Sequence, residues 1–189
     1  MKKAIIFILF LLISCISIKT IFFRKFAVDT SELLTYCQQN GYSEDYCIFV
    51  DFSKPQGIKR FCLYDFKQSK IVAKSLCAQG RGKENNIFNH KFSNEPGSNY
   101  SSLGKYKIGS LVKMSNPFFG EGYLLYGLDS SNSNANARAI MIHNGNPSFE
   151  TFPLPCMPVS KSCFAVSSKM MKQLKQIKTN KPILLYAYV

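Results

Sequence analysis

With 189 residues, 46% of them hydrophobic and 19% charged, the chain has the make-up of one globular domain and not of a disordered or fibrous segment. A formal net charge of +13 draws it to polyanions and anionic surfaces, but the lysines are spread and no nucleic-acid motif accompanies them, so no nucleic-acid partner is expected. The seven cysteines contain no C-x-x-C pair, which argues against a zinc ribbon or a thioredoxin-type centre, and no metal is expected.

Lys2 and Lys3 precede an uncharged apolar run, "AIIFILFLLISCISI", from Ala4 to Ile18. A charged n-region followed by an apolar h-region reads as an export leader over residues 1–18. The run is shorter than the ~20 apolar residues of a membrane span. Leu12-Ile13-Ser14-Cys15 resembles the lipobox of bacterial lipoproteins, in which the cysteine is lipidated and becomes the new N-terminus. The alternative is an uncleaved anchor helix. Both readings place one domain, residues 28–189, outside the cytoplasm and attach it to a membrane. Without Lys2 and Lys3, 22 basic residues face 11 acidic ones, a net charge of +11.

After the leader, "DTSELLTYCQQNG" predicts a short helix, capped by Asp29 or Thr30 and ended by Gly41. "YCIFVDF", "IKRFCLYDF" and "KIVAKSLCA" are β-branched and aromatic, and predict a three-stranded meander. By parity, Tyr46, Ile48, Val50 and Phe52 share one face. Cys37 and Cys47 flank a turn and can bridge, as can Cys62 and Cys77 on strands expected to be neighbours. Gly80 to Ser102 is polar and long, as functional or mobile loops are. "KYKIG", "GYLLYGLD" and "RAIMIH" predict further strands, with the turn "SSNSNANA" before the last. Gly145 to Pro158 holds four prolines and reads as an irregular loop. "SSKMMKQLKQIK" predicts a helix with an apolar stripe of Met170, Met171, Leu174 and Ile177 and a solvated lysine stripe opposite. "PILLYAYV" predicts a closing buried strand. The class is mainly β with a few helices, α+β.

Two residues stand out chemically. His143 ends a strand and is followed by Asn144-Gly145; Cys163 follows the proline-rich loop and precedes a helix. A thiolate attacks carbonyls far better than a thiol, and an imidazole within reach supplies and holds the proton. The positive end of a helix dipole also favours a thiolate. On spacing alone the better reading is a buried thiol and an unrelated histidine. His90, in the polar loop, reads as a surface histidine.

"FSNEPGSNYSSLGKYKIG", "NANARAIMIHNG" and "SKSCFAVS", in that order, resemble the catalytic domain of the L,D-transpeptidase (YkuD-like) family. They are most similar to its branch of exported murein enzymes, in which a Ser-Ser-Leu-Gly stretch precedes the histidine strand. "FVDFSKPQGIKRFCLYDF" is similar to that branch's first hairpin, so the likeness runs from about Cys47 to the C-terminus. The family pattern is a histidine, a gap, then Ser/Thr-x-Gly-Cys, which His143, Ser160 and Cys163 match. The chain departs from it at Ser162, in the glycine position, at Lys161, where histidine is frequent, and at Gln79 in "CAQG". Arg138 matches the branch's arginine before the histidine, and strand parity places it on the face opposite His143.

The resemblance implies a mixed β-sandwich and acyl transfer on the stem tetrapeptides of peptidoglycan. Cys163 would be the nucleophile and His143 the proton carrier. The backbone N–H groups around Ser162 and Cys163 would stabilise the oxyanion, and Ser160 would hold the loop. Tyr100, Ser101, Ser102, Asn144 and Gly145 would line the substrate cleft. No cofactor is implied. The product is a cross-link if an amine takes the acyl group, or a trimmed stem if water does. A non-catalytic wall-binding lipoprotein on the same fold is the alternative that Ser162 motivates.

Overall fold

The computed structural model describes residues 28–86, 89–115, 117, 119–145 and 160–189. The leader with Cys15 and the proline-rich segment 146–159 lie outside the described residues. Helix α1, Thr30–Asn40, begins where Asp29 accepts hydrogen bonds from the Ser31 and Glu32 amides, and ends at Gly41 in the left-handed region, φ 73°. The meander follows as β1 (Tyr46–Asp51), β2 (Phe61–Asp65) and β3 (Lys70–Ser75), paired antiparallel. The chain continues through β4 (Cys77–Ala78), β5 (Gly104–Lys113), β6 (Glu121–Gly127), β7 (Met141–Asn144) and β8 (Phe164–Val166). Helix α2 (Ser168–Gln176) and β9 (Leu184–Tyr188) close it.

The nine strands of the described residues form one mixed sheet in the order β3-β2-β1-β9-β5-β6-β7-β8-β4. The β1–β9 and β7–β8 pairs are parallel. "KIVAKSLCA" was expected as one strand, but it breaks at Leu76. Ser75 pairs with Phe61 at one end of the sheet, and Cys77 pairs with Val166 at the other. Strands one residue apart in the chain and at opposite ends of the order require the sheet to curl until its ends meet. The Ser167 amide donates to Ser75 Oγ at 3.0 Å across this seam.

The curled sheet encloses the main core. Ile48, Val50 and Phe52 lie there with Tyr106, Leu125, Ile142, Phe164 and Leu185, and the Met170, Met171 and Leu174 stripe of α2 packs onto it. Burying each such side chain stabilises the fold by about 1.5–3 kcal/mol. The other face of β1 is also dry: Cys47 and Phe49 meet Leu33 and Cys37 of α1 in a second core. That explains why β1 reads as a nearly unbroken apolar run.

The cysteine pairings do not form. Cys37, Cys47, Cys62, Cys77 and Cys163 are free thiols. Cys62 faces the second core and Cys77 the main core, so the sheet separates them. Cys37 and Cys47 share the second core, where burial pushes the Cys37 thiol up to about 11.

Candidate active site

His143 and Cys163 come from the parallel pair β7–β8. The register sets Ile142 opposite Phe164 and His143 opposite Ala165. Extended one residue back, it sets Met141 opposite Cys163. Paired residues point to the same face, and so do residues two apart on one strand. His143 and Cys163 therefore share a face, with Cα atoms roughly 8 Å apart on the diagonal. Both line one cavity of about 630 Å³, together with Arg81, Lys113, Met114, Phe119 and Arg138.

The imidazole is fixed by backbone and by a ring. Nδ1 lies 2.7 Å from the Asn144 carbonyl, which can only accept, so Nδ1 carries the proton and Nε2 is left as the acceptor. The Phe119 ring sits 4.8 Å from the imidazole at 60°. Burial holds the His143 pKa below its ordinary value, against the Asn144 hydrogen bond, so the ring is neutral near pH 7.

The thiol sits on a turn shaped by side chains. Ser160 Oγ accepts from the Cys163 amide at 2.7 Å and the Ser162 amide at 3.2 Å. Both amides that the family resemblance assigns to the oxyanion therefore converge on one hydroxyl. Sγ lies 3.6 Å from the Ala139 carbonyl. Burial pushes the Cys163 thiol up, opposed by a Met141 backbone hydrogen bond, the Ser160 hydroxyl and the charge of Arg138. The resting pair is thus thiol and imidazole, not an ion pair.

Arg138 corrects a sequence-based expectation. It was placed opposite His143 by strand parity, but β7 begins only at Met141, and Arg138 lies in the preceding turn, where that parity does not apply. Its guanidinium reaches the Ser93 carbonyl at 2.7 Å, the Tyr100 carbonyl at 2.5 Å and Ser162 Oγ at 3.0 Å. It lines the same cavity as Cys163.

Ser101 and Ser102 were expected in the cleft, but they are fully buried behind the turn. Ser101 Oγ accepts from the Gly80 amide at 2.9 Å and donates to the Ser162 carbonyl at 2.8 Å, joining two segments. Ser102 accepts from the Tyr106 hydroxyl. Tyr100 contributes its carbonyl to Arg138, and its hydroxyl faces Glu84. Asn144 accepts from the Ser168 hydroxyl at 2.8 Å and lines a neighbouring cavity, and the Gly145 amide donates to Val166. None of these five borders the Cys163 cavity.

Gln79 is fully buried and accepts from Arg60 at 2.8 Å. The next residue, Gly80, bridges Ser160, and a Cβ there would lie 2.3 Å from the Asn99 carbonyl, which explains the glycine. His90 is half-buried against the Phe52 carbonyl, not free on the surface.

Phe119, Met114 and Arg81 were missed as lining residues. The signal for Phe119 lay in the order of strands: β6 pairs with β7, and the β5–β6 turn must end beside His143. Among the described residues no His/Cys/Asp/Glu cluster could hold a metal, and no helix is long and apolar enough to cross a membrane.

Among solved structures, the chain resembles the helical cell shape determining protein Pgp2 from Campylobacter jejuni, with TM-score 0.51 and 12% identity over 84% of this chain and 55% of that one. It also matches an L,D-transpeptidase from Xylanimonas cellulosilytica, with TM-score 0.45 and 14% identity over 79% and 62% of the two chains. An L,D-transpeptidase from Mycobacterium smegmatis gives TM-score 0.46 and 9% identity over 77% and 59%. The chain thus spans 55–62% of the length of those solved chains, and at such identities the Pgp2 likeness speaks to the fold alone. No curated protein matches the chain. The model of the L,D-transpeptidase catalytic domain covers residues 19–188, nearly the whole sequence, and the chain belongs to that family.

Proposed function

We propose that the chain is an exported, membrane-attached enzyme that cleaves L,D-peptide bonds in peptidoglycan stem tetrapeptides through a Cys163 thioester. The observation that carries this reading is the shared face of β7–β8, where the His143 ring and the Cys163 sulfur open into one cavity. Family membership supplies the substrate class. The leader and Cys15 supply the expected envelope location and lipid attachment.

The steps follow from the neutral pair. Cys163 Sγ attacks the carbonyl on the L-centre side as its proton passes to His143 Nε2. The resulting imidazolium is held by the Asn144 carbonyl at Nδ1. The carbonyl oxygen gains charge and takes the Ser162 and Cys163 amides when Ser160 Oγ rotates away from them. The C–N bond then breaks, the D-amino acid leaves with the proton from His143, and a thioester remains. An amine of a second stem closes a cross-link, or water gives a trimmed stem. Either returns the thiol.

One observation favours a second reading, a wall-binding domain without activity. Ser160 already satisfies both amide donors, and Ser162 replaces the expected glycine. A carbapenem separates the two. The active reading expects intact protein to gain one adduct mass at Cys163, and Cys163→Ala to gain none. Protein that never acquires the adduct and never releases D-alanine from tetrapeptides is not this enzyme.

A further inference from the structure

The Cys163 cavity is lined by four cationic side chains, Arg81, Lys113, Arg138 and Lys161, and among the described residues by no carboxylate. These four differ in what they are doing. Arg138 is engaged by backbone carbonyls and hydroxyls. Lys113 lies near Glu121, which is itself paired with Lys175. Arg81 and Lys161 form no ion pair among the described residues. The nearest acid along the chain from Arg81, Glu84, is paired with Lys91.

Arg81 and Lys161 are also neighbours by construction. Gly80 and Ser160 form a parallel bridge, and the Arg81 amide donates to the Ser160 carbonyl at 2.7 Å. The bridge is isolated and Lys161 lies in a bend beyond it, so the two side chains come from adjacent segments without being a strand pair. Like charges gathered around one cavity repel when nothing neutralises them. Both point into the cavity that holds Cys163. An anion entering there would relieve the repulsion and receive charge-assisted hydrogen bonds from a guanidinium and an ammonium.

We propose that Arg81 and Lys161 are specificity-determining residues that seat a free carboxylate of the stem peptide, so that the site selects stems whose side carboxylates are not amidated. This rests on the L,D-peptide reading above and adds the charge state of its substrate. The carboxylate concerned is one that amidation can erase, on the third residue's side chain or on the glutamyl residue. The carboxylate of the terminal D-residue is present in either form and cannot carry the distinction.

The test uses two tetrapeptides, one with both carboxylates free and one with both as carboxamides. D-Alanine release is measured with the wild-type chain and with R81Q/K161Q. Binding of each peptide to Cys163→Ala is measured by calorimetry. The free acid is expected to lead by about tenfold or more in kcat/KM and in affinity. The lead should shrink as salt is raised from 0.05 to ~0.5 M, because the seat is open to solvent. In R81Q/K161Q the ratio between the two peptides should fall towards one.

Carboxamide handled as well as the acid overturns the inference, as does a double variant that keeps the wild-type ratio. Failure to bind either peptide overturns it too. The two readings separate cleanly. D-Alanine release without preference leaves the enzyme standing and removes the carboxylate seat. Preferential binding to Cys163→Ala with no release by the wild type leaves the seat standing and removes the enzyme.

Discussion

His143 and Cys163 line one cavity from the same face of the sheet, but the fold holds them by different means. His143 lies inside a strand, between β6 and β8, and its position is set by backbone hydrogen bonds. Cys163 lies one residue before its strand, on a turn that Ser160, Ser101, Ser162 and Arg138 hold through side chains. A ladder tolerates many side chains, because the backbone does the pairing. A turn tied by hydroxyls depends on each of them, because a buried group deprived of its partner costs about 1–3 kcal/mol. The imidazole is therefore the robust half of the pair and the thiol the fragile half.

Substitutions on each side sharpen that contrast. His143→Ala removes the proposed proton carrier and should slow carbapenem acylation by roughly 10²–10⁴-fold, with β7 keeping its pairing but losing the buried ring's contact with Phe119. Stopped-flow acylation and thermal melts check both parts. Arg138→Met should lower unfolding stability by about 2–3 kcal/mol, since carbonyls of Ser93 and Tyr100 lose a charged donor. It should also raise the pH midpoint of Cys163 alkylation, because the Arg138 charge favours the thiolate. An unchanged midpoint would separate Arg138 from the sulfur.

Ser101→Ala orphans the Gly80 amide and the Ser162 carbonyl at once and should cost about 1–3 kcal/mol in denaturant melts. Its effect on acylation should exceed that of an equally destabilising change in the second core. Ser162→Gly removes one acceptor from Arg138 and should shift stability by only ~0.5–1 kcal/mol while speeding acylation, if the side chain crowds the oxyanion. The smallest effect concerns pH. The folded His143 takes its proton at lower pH than the unfolded one, so the unfolded state binds more protons just below pH ~6.5. Stability should fall as pH drops through that window, and His143→Gln should flatten the fall.

The same division explains what could be read from the sequence. Asp29 and Gly41 announced α1, and alternating or continuous apolar runs announced β1, β2, β5, β6 and β9, because periodicity and capping are local. The histidine, the serine and the cysteine were legible through family likeness. Strand β8 was not, because the three residues after Cys163 carry too little pattern, and they gain strand form only from β7 and β4. Leu76 gave no sign of the break that sends β4 to the far end of the sheet. The serines behind the turn read as turn chemistry. Their contacts span 21 residues from Gly80 to Ser101 and 61 from Ser101 to Ser162, and no local rule reports them. Cys62 and Cys77 looked like neighbours in a meander, but they face different cores on the two sides of the sheet.

The seam between β4 and β8 is narrow, two paired residues and the single bridge from Gly80 to Ser160. Joining it closes a loop of some ninety residues for little enthalpic return, so it belongs late in the order of assembly. Until it closes, the turn that carries the thiol lacks its bridge to Gly80. An incompletely folded chain thus carries the Cys163 sulfur without all the groups that position it, and gains the last of them only when the domain's two ends have met.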